Sequence, residues 1–507
     1  MRKFIKSIIF FIILVNGCST VERVNTQQES IDLEKMCEAL EDLKLWDTYI
    51  SSASIVPANG DLPEHCRVNG YILPAINFEI RLPTKNWNGK FLMAGCGGFC
   101  GSLRFGRSSK LALRRNYAIC YMDSGHWGES GRDVRWAYHN RPAEIDWAYR
   151  AVHETARVTK VVIRKFYGRS PEKSYFQGGS TGGRMALMEA WRYPEDFDGI
   201  ISEAPVMDTT SLIINYHWVA RKNIGADGKD IISSNDLKVI IDAVYQACDS
   251  IDGLKDGLIS DPSVCEFDPE SLLCGKNENE GCLTAEQVAT LKAWYGGPKN
   301  SAGEQLYPGG LPLGSEPFWH RRITGKTENL GFFRYMAFQD DPGENFDMTD
   351  FDFDTDPPRM EYMANIINSD NPDLEAFKTR NGKLLMIHGW ADSSATPWKS
   401  IEYYKEVEQR FGGREKTQDF FRLFMIPGMG HGGRGNELGI TYDSIDPLTA
   451  LEKWVEEGQA PDSLLMNKFA PDGSVMWTRP VYPYPLRTVY KGEGDLNSAS
   501  SYERKEP

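Results

Sequence analysis

Residues 178–182 read Gly-Gly-Ser-Thr-Gly, and the apolar stretch Tyr175-Phe176-Gln177 leads into them. A serine framed as Gly178-x-Ser180-x-Gly182 between a strand and a helix matches a nucleophile elbow. The glycines are required because the serine backbone is strained and neighbouring side chains would strike the strand and the helix. The elbow would expose the Ser180 hydroxyl at a helix N-terminus. There the Thr181 amide and the helix dipole can stabilise an oxyanion. A hydroxyl needs an imidazole to take its proton and a carboxylate to steady that imidazole. In this architecture the acid and then the histidine follow the serine in the chain. A strand over 384–387 runs into His388-Gly389-Trp390-Ala391-Asp392, which makes Asp392 the candidate acid. The next strand runs into Pro427-Gly428-Met429-Gly430-His431-Gly432-Gly433, which makes His431 the candidate base. His388 and His126 are the rivals, and hydrogen-bonded structural roles suit both better. The chemistry these residues could do is attack on an ester carbonyl, loss of the alcohol, and hydrolysis of an acyl-enzyme.

Two further groups of residues have chemical types worth placing. The Gly-rich run Gly95-Cys96-Gly97-Gly98-Phe99 follows a strand, and Gly97 or Gly98 would supply a second oxyanion N–H. Asp249, Asp252 and Asp256 fall within eight residues of Cys248-Asp-Ser-Ile-Asp-Gly-Leu-Lys-Asp-Gly-Leu258, among turn glycines. Hard oxygen ligands on a tight loop suit Ca²⁺, with Leu254 and Leu258 adding backbone carbonyls. The spacing is not that of an EF-hand, and it fits a solvated acidic turn equally well. Cys248 and Cys265 flank this loop and are placed to staple it; Cys274 and Cys282 are near enough for a second local bridge.

The elements that must position these residues alternate. Strands are expected over 90–94, 116–123, 175–177 and 197–204, with helices over 144–167 and 184–191. The alternation stops near Pro205 and resumes near Gly382: strand, helix 397–410, strand 420–426, helix 447–457. Asp446-Pro447 is an N-cap followed by proline at N1. This pattern predicts an α/β fold, a doubly wound, mostly parallel sheet with helices on both faces. Residues 206–381 are too long for a loop and read as an inserted lid domain. The catalytic domain is then 37–205 with 382–507.

The N-terminus is a targeting segment. Arg2, Lys3 and Lys6 precede an apolar run ending in Val15-Asn16-Gly17-Cys18, which resembles a bacterial lipobox. The reading is a signal peptide over 1–17, lipid on Cys18, and a polar tether over 18–36. Ser19 points to the outer membrane. Export implies an oxidising compartment. The chain has 10 cysteines, so nine remain beside Cys18, and at least one is free or pairs between chains. The net charge of −14 among 507 residues, more negative once the leader is cleaved, argues against a nucleic-acid partner. The 41% hydrophobic and 25% charged composition excludes a disordered or polytopic membrane chain.

Together these residues resemble the tannase and feruloyl esterase family over about 37–500. The resemblance rests on GGSTGGR, FDGIISEAP, CDSIDGLKDGLI, HGWAD, GMGH, the segment from Leu451 to Asp462, and the Arg479-Pro480 tail. It implies an α/β-hydrolase whose lid binds a structural Ca²⁺, acting on feruloyl-, galloyl- or caffeoyl-type esters. A related hydrolase acts on the monoester of poly(ethylene terephthalate). Carried over by motif, Ser180 is the nucleophile, Asp392 the acid and His431 the base. Asp249, Asp252, Leu254, Asp256 and Leu258 fall on Ca²⁺ positions. The resemblance supports the bridges Cys248–Cys265 and Cys274–Cys282 and adds Cys37–Cys66.

The chain departs from the family at one point near the chemistry. Members carry a cysteine before the serine and another after the histidine, joined as a disulfide; here those positions are Gly179 and Gly432. Conversely, Cys96, Cys100 and Cys120 lie near the oxyanion loop, and a pair among them leaves one free. Lid aromatics Phe318, Trp319, Phe332, Phe333 and Tyr335 are candidates to stack on a phenolic ring, although most suit lid core. Arg321, Arg322 and Arg334 are candidates for a substrate carboxylate. The competing readings are a polyester monoester hydrolase, a carbohydrate acetyl esterase, and a surface lipoprotein that binds glycan or phenolics without turnover.

Overall fold

The computed structural model describes residues 33–275, 281–320, 323, 330–433, 440–441, 444–470 and 472–507. Cys18 and the whole leader, and Arg321 and Arg322, lie outside the described residues.

Nine strands form one sheet, in the order β1-β2-β3-β5-β4-β6-β7-β8-β9. They are β1 Thr48–Val56, β2 His65–Ile72, β3 Ile76–Pro83, β4 Lys90–Ala94, β5 Ala118–Met122, β6 Lys173–Gly179, β7 Gly199–Glu203, β8 Lys383–Gly389 and β9 Phe421–Ile426. From β5 to β9 every pairing is parallel. The edge strands β1, β2 and β3 pair antiparallel, and β3 joins β5 antiparallel.

Strand periodicity sorts side chains to two faces. Phe91, Met93, Phe176, Ile200, Leu384, Met386 and Leu423 enter one core, with the helices Ala151–Tyr167, Thr181–Arg192 and Pro397–Phe411 packed over it. Leu92, Tyr175, Ile201, Leu385, Ile387 and Phe424 enter the other, covered by Arg107–Arg114 and Pro447–Glu457. Burial on both faces is why these central strands read as unbroken apolar runs.

Three local features depart from the sequence expectation. The edge strands β1 and β2 precede the point where alternation becomes visible. They are half-exposed and carry Ser51, Arg67 and Asn69 on the wet side. The stretch read as tether ends in a helix, Leu33–Glu38, whose buried Cys37 is bridged to Cys66 of β2. The helix expected over 144–167 is broken by a π turn at Asp146–Arg150. The guanidinium of Arg184 reaches that turn and donates to the carbonyls of Trp147 and Ala148 at 2.7 and 2.6 Å. A widened turn accommodates such an intruding donor.

β7 ends at Glu203 and β8 begins at Lys383, yet the two pair directly, Gly199 with Lys383 through Glu203 with Ile387. Residues 206–381 therefore leave the sheet and return to its neighbouring position. Part of this segment has its own core around Val219, Ile240, Leu291, Trp294 and Trp319. Its later part, through Phe332, Phe333, Met363 and Phe377, packs into the main core instead. The tail adds two small antiparallel pairs: β10 Leu464–Phe469 with β11 Val475–Val481, and β12 Arg487–Tyr490 with β13 Tyr502–Lys505.

Candidate active site

β6 ends at Gly179 and the helix Thr181–Arg192 begins one residue after Ser180. Ser180 turns the chain at φ 60°, ψ −120°. Its amide donates to Glu203 O at 2.8 Å, and its carbonyl accepts from Arg184 N at 3.0 Å and Val206 N at 3.2 Å. A Cβ on Gly178 would lie 2.5 Å from the Gly182 carbonyl oxygen, and one on Gly183 would lie 2.7 Å from that of Glu203. The elbow closes only because both positions lack a side chain.

His431 lies 251 residues away in the chain, and its Nε2 sits 3.0 Å from Ser180 Oγ. Its Nδ1 sits 2.7 Å from Asp392 Oδ2. The structure thus brings the three candidate residues into one hydrogen-bonded line. Asp392 is fully buried, and its other oxygen accepts from Ser394 N at 2.7 Å. Burial pushes its carboxyl up, but the flanking imidazoles of His431 and His388 outweigh that and hold it down at about 2. The turn carrying His431 leans on the insertion: a Cβ on Gly430 would lie 3.1 Å from the Phe318 ring.

The Gly-rich loop after β4 lies against the elbow. A Cβ on Gly95 would lie 2.7 Å from Gly182 Cα, and one on Gly182 would lie 3.1 Å from Cys96 O. Gly95 N donates to Gln177 O, Phe99 N to Gly131 O and Cys100 N to Gly97 O. Among the described residues, the intervening amides of Cys96, Gly97 and Gly98 make no backbone bond. The Thr181 amide opens the helix, where no intrahelical acceptor exists for it. Cys96 and Cys100 form a disulfide across the loop, and among the described residues Cys120 is the free, buried thiol. Burial pushes that thiol up to about 12, so it is inert.

The rival histidines have other partners. His126 Nε2 bonds Phe99 O at 2.6 Å and its ring stacks on Trp136 at 3.6 Å. Burial pulls His126 down to about 4, which keeps it neutral. His388 bonds Ser400 and Ala395, but it also lies 3.5 Å from Asp392 Oδ2. The sequence favours a hydrogen-bonded structural role for His388 over that of a base; its contact with the acid was not among the expectations. Of the lid aromatics, Trp319, Phe332, Phe333 and Tyr335 are buried in packing, and Phe318 meets the histidine turn. Arg334 Nε donates to Phe346 O at 2.8 Å.

In the aspartate loop, the Asp249 carboxylate accepts the amides of Gly257 at 2.9 Å and Leu258 at 3.0 Å. Asp252 accepts from Leu254 N at 3.0 Å. Asp256 pairs with Arg479 through Oδ2, while its Oδ1 is buried without a partner. Burial pushes Asp252 up to about 6, with the charges of Asp256 and Asp249 adding to the rise. A cation here would satisfy the orphan Asp256 oxygen and the strained Asp252 charge. Asp249 fits less well, because its oxygens already serve backbone amides. Among the described residues, no three His, Cys, Asp or Glu side chains are arranged as a ready metal cluster. Cys248–Cys265 and Cys274–Cys282 are both bridged.

The tannase and feruloyl esterase family model matches residues 62–505. An uncharacterized esterase of Xanthomonas campestris is 36% identical, covering 92% of this chain and 90% of its own. The mono(2-hydroxyethyl) terephthalate hydrolase of Piscinibacter sakaiensis is 30% identical, covering 92% and 91%. The crystal structure of feruloyl esterase B from Aspergillus oryzae superposes with a TM-score of 0.84 at 27% identity, covering 93% of this chain and all of that one. The chain belongs to the tannase and feruloyl esterase family, with the α/β-hydrolase fold of its relatives, and is a carboxylic ester hydrolase.

Proposed function

We propose that this chain is an exported serine esterase that cleaves esters of phenolic acids through an acyl-enzyme on Ser180. The single observation carrying the reading is the continuous line Ser180 Oγ, His431, Asp392, with contacts of 3.0 and 2.7 Å. Ser180 Oγ attacks the ester carbonyl as His431 Nε2 takes its proton. Asp392, ionised and buried, holds Nδ1–H and stabilises the imidazolium that forms. The carbonyl oxygen becomes an oxyanion facing the Thr181 amide and an amide of Gly97 or Gly98. His431 then protonates the leaving alcohol, and water, deprotonated by the same imidazole, releases the acid.

The phenolic acyl group is favoured by family membership and by the feruloyl esterase superposition. The 30% identical terephthalate monoester hydrolase favours a second reading, in which the acyl group is an aromatic half-ester. Ser180→Ala should lower turnover of an aryl ester by at least about 10⁴-fold without changing the fold. Retained turnover would refute the nucleophile. Comparing methyl ferulate, methyl gallate, mono(2-hydroxyethyl) terephthalate and p-nitrophenyl acetate by kcat/KM decides between the acyl groups.

A structural Ca²⁺ in the loop of Asp249, Asp252, Leu254, Asp256 and Leu258 belongs to the same reading. When bound, it would cross-link the loop and neutralise its carboxylates. Asp252 and Asp256 are the side-chain ligands best supported, for the electrostatic reasons given above. Lipid on Cys18, with attachment to the outer membrane, is the proposal for localisation. The four disulfides suit an oxidising compartment, and no helix among the described residues is long and apolar enough to cross a membrane. Cys18→Ser should move the protein from the membrane to the soluble fraction; an unchanged distribution counts against the anchor.

A further inference from the structure

The acid loop runs from the end of β8 to the helix that begins at Pro397, and one side chain closes it. His388 is fully buried. Its Nε2 lies 2.6 Å from Ala395 O. A carbonyl oxygen only accepts, so Nε2 must carry the proton. Its Nδ1 lies 2.8 Å from Ser400 Oγ. In the tautomer with the proton on Nε2, Nδ1 accepts, and the Ser400 hydroxyl donates to it. The Ala395 carbonyl thereby selects the tautomer, and the Ser400 hydroxyl holds the ring's other nitrogen. The same Nε2–H faces Asp392 Oδ2 at 3.5 Å, the oxygen that holds His431 at 2.7 Å. At that length the contact is electrostatic rather than a full hydrogen bond. It nonetheless acts in a site with no solvent on either side chain.

We propose that His388 is a positioning residue: it clasps the loop carrying Asp392 and draws charge from the oxygen that orients His431. The inference rests on the Ser180–His431–Asp392 reading. The clasp joins the strand end to Ala395, and within it Asp392 N bonds Gly389 O while Asp392 Oδ1 takes Ser394 N. Ser400 approaches from the helix Pro397–Phe411 and His431 from the turn after β9. Tyr307 approaches from the insertion; burial raises its phenol well above the usual range, with Asp208 and Asp392 among the charges adding to the rise. Gly179 precedes the serine and Gly432 follows the histidine, so no disulfide ties these two turns together there. Hydrogen bonding on the acid side therefore has more to hold.

The direction of the effect follows from charge. Without the Nε2–H, negative charge concentrates on Oδ2 and holds the His431 imidazolium more tightly. The acidic limb of kcat/KM should then move to higher pH. His388→Phe removes the donor at similar volume. It should shift that limb up by about one pH unit and lower kcat about tenfold, with KM nearly unchanged. His388→Gln places an N–H near the same point and should restore the limb. Ser400→Ala, which loosens the ring without touching Asp392, should shift it the same way by less. The direct readout is the titration of the His431 Nδ1–H resonance by NMR, which needs no turnover. If the folded variants titrate His431 at the wild-type midpoint, the proposal is overturned. Should His388→Phe not fold, His388→Gln and Ser400→Ala decide it by the same measure. Turnover surviving in Ser180→Ala would instead overturn the triad reading, and the two failures are distinct.

Discussion

Ser180 occupies backbone conformation that a side-chain-bearing residue reaches at a cost of about 1–3 kcal/mol, and the surrounding glycines hold it there. Gly178→Ala would drive a Cβ to 2.5 Å from a carbonyl oxygen in the elbow. We expect kcat/KM to fall more than about a hundredfold and the melting temperature to drop as well. Gly97→Ala is the contrasting case, since nothing lies within 4 Å of its added Cβ. It should keep the wild-type melting temperature, so any loss of kcat there reports on the oxyanion loop itself. The pH profile tests a second residue. Asp392 is held at about 2, below the usual carboxylate value of about 3.9, so its charge supports the folded state above that value and is lost only as pH falls toward 2. Log kcat/KM should therefore fall with a slope of one below its optimum. A slope of two would mean that Asp392 titrates with the base. These residues were legible because each sits at a strand end beside glycines, where chain order and local geometry leave few alternatives. The contact between His388 and Asp392 was not, because it depends on a rotamer and on Ser400, twelve residues further on.

Under the proposed mechanism, the loop between β4 and the helix Arg107–Arg114 would be held for chemistry more than for stability. The Cys96–Cys100 bridge, the bond from Phe99 N to Gly131 O and the contact of His126 with Phe99 O all converge on it. A bridge spanning four residues restricts the unfolded chain only modestly, so its stabilising effect is small beside that of a long-range bridge. We expect Cys96→Ser with Cys100→Ser to lower kcat more than tenfold while moving the melting temperature little, measured by aryl-ester kinetics and calorimetry. Equal losses in both would assign the bridge to folding. The pairing itself was open in the sequence, since Cys96, Cys100 and Cys120 were all candidates. Only the sheet places Cys120 inward on β5, away from the loop. Among the strands, β4 to β9 were legible from apolar runs buried on both faces. β1, β2 and the tail pairs were not, because half-exposed strands such as TYISSASIV carry serines that equally suit a loop.

At the scale of the whole molecule, the insertion and the tail meet at the aspartate loop. The sequence marked 206–381 as foreign to the alternating pattern, but not that its later helices rejoin the main core. That return depends on three-dimensional packing of Phe332, Phe333 and Phe377, which no periodicity encodes. Arg479 of β11 reaches Asp256, and Tyr490 N reaches Asp252 O at 3.4 Å, so the tail rests on the loop. Arg479 bonds Asp256 and faces Asp252 there, and Ca²⁺ would add further positive charge beside these carboxylates. Calcium at about a hundred times its Kd would add about 2.7 kcal/mol to stability. Chelation should then lower the melting temperature by several degrees at neutral pH, read by calorimetry. The pH dependence gives the sharper test. Burial and its acidic neighbours raise Asp252 to about 6, above its unfolded value near 3.9. A group shifted in that direction favours the fold at low pH and ceases to do so as pH rises through its folded value. The chelated protein should therefore lose melting temperature between about pH 4 and 6. With Ca²⁺ bound, Asp252 stays ionised throughout that range, and the slope should vanish. Asp252→Asn should flatten the chelated curve to match. A chelated and a loaded protein with parallel curves would mean that no cation is held at this loop.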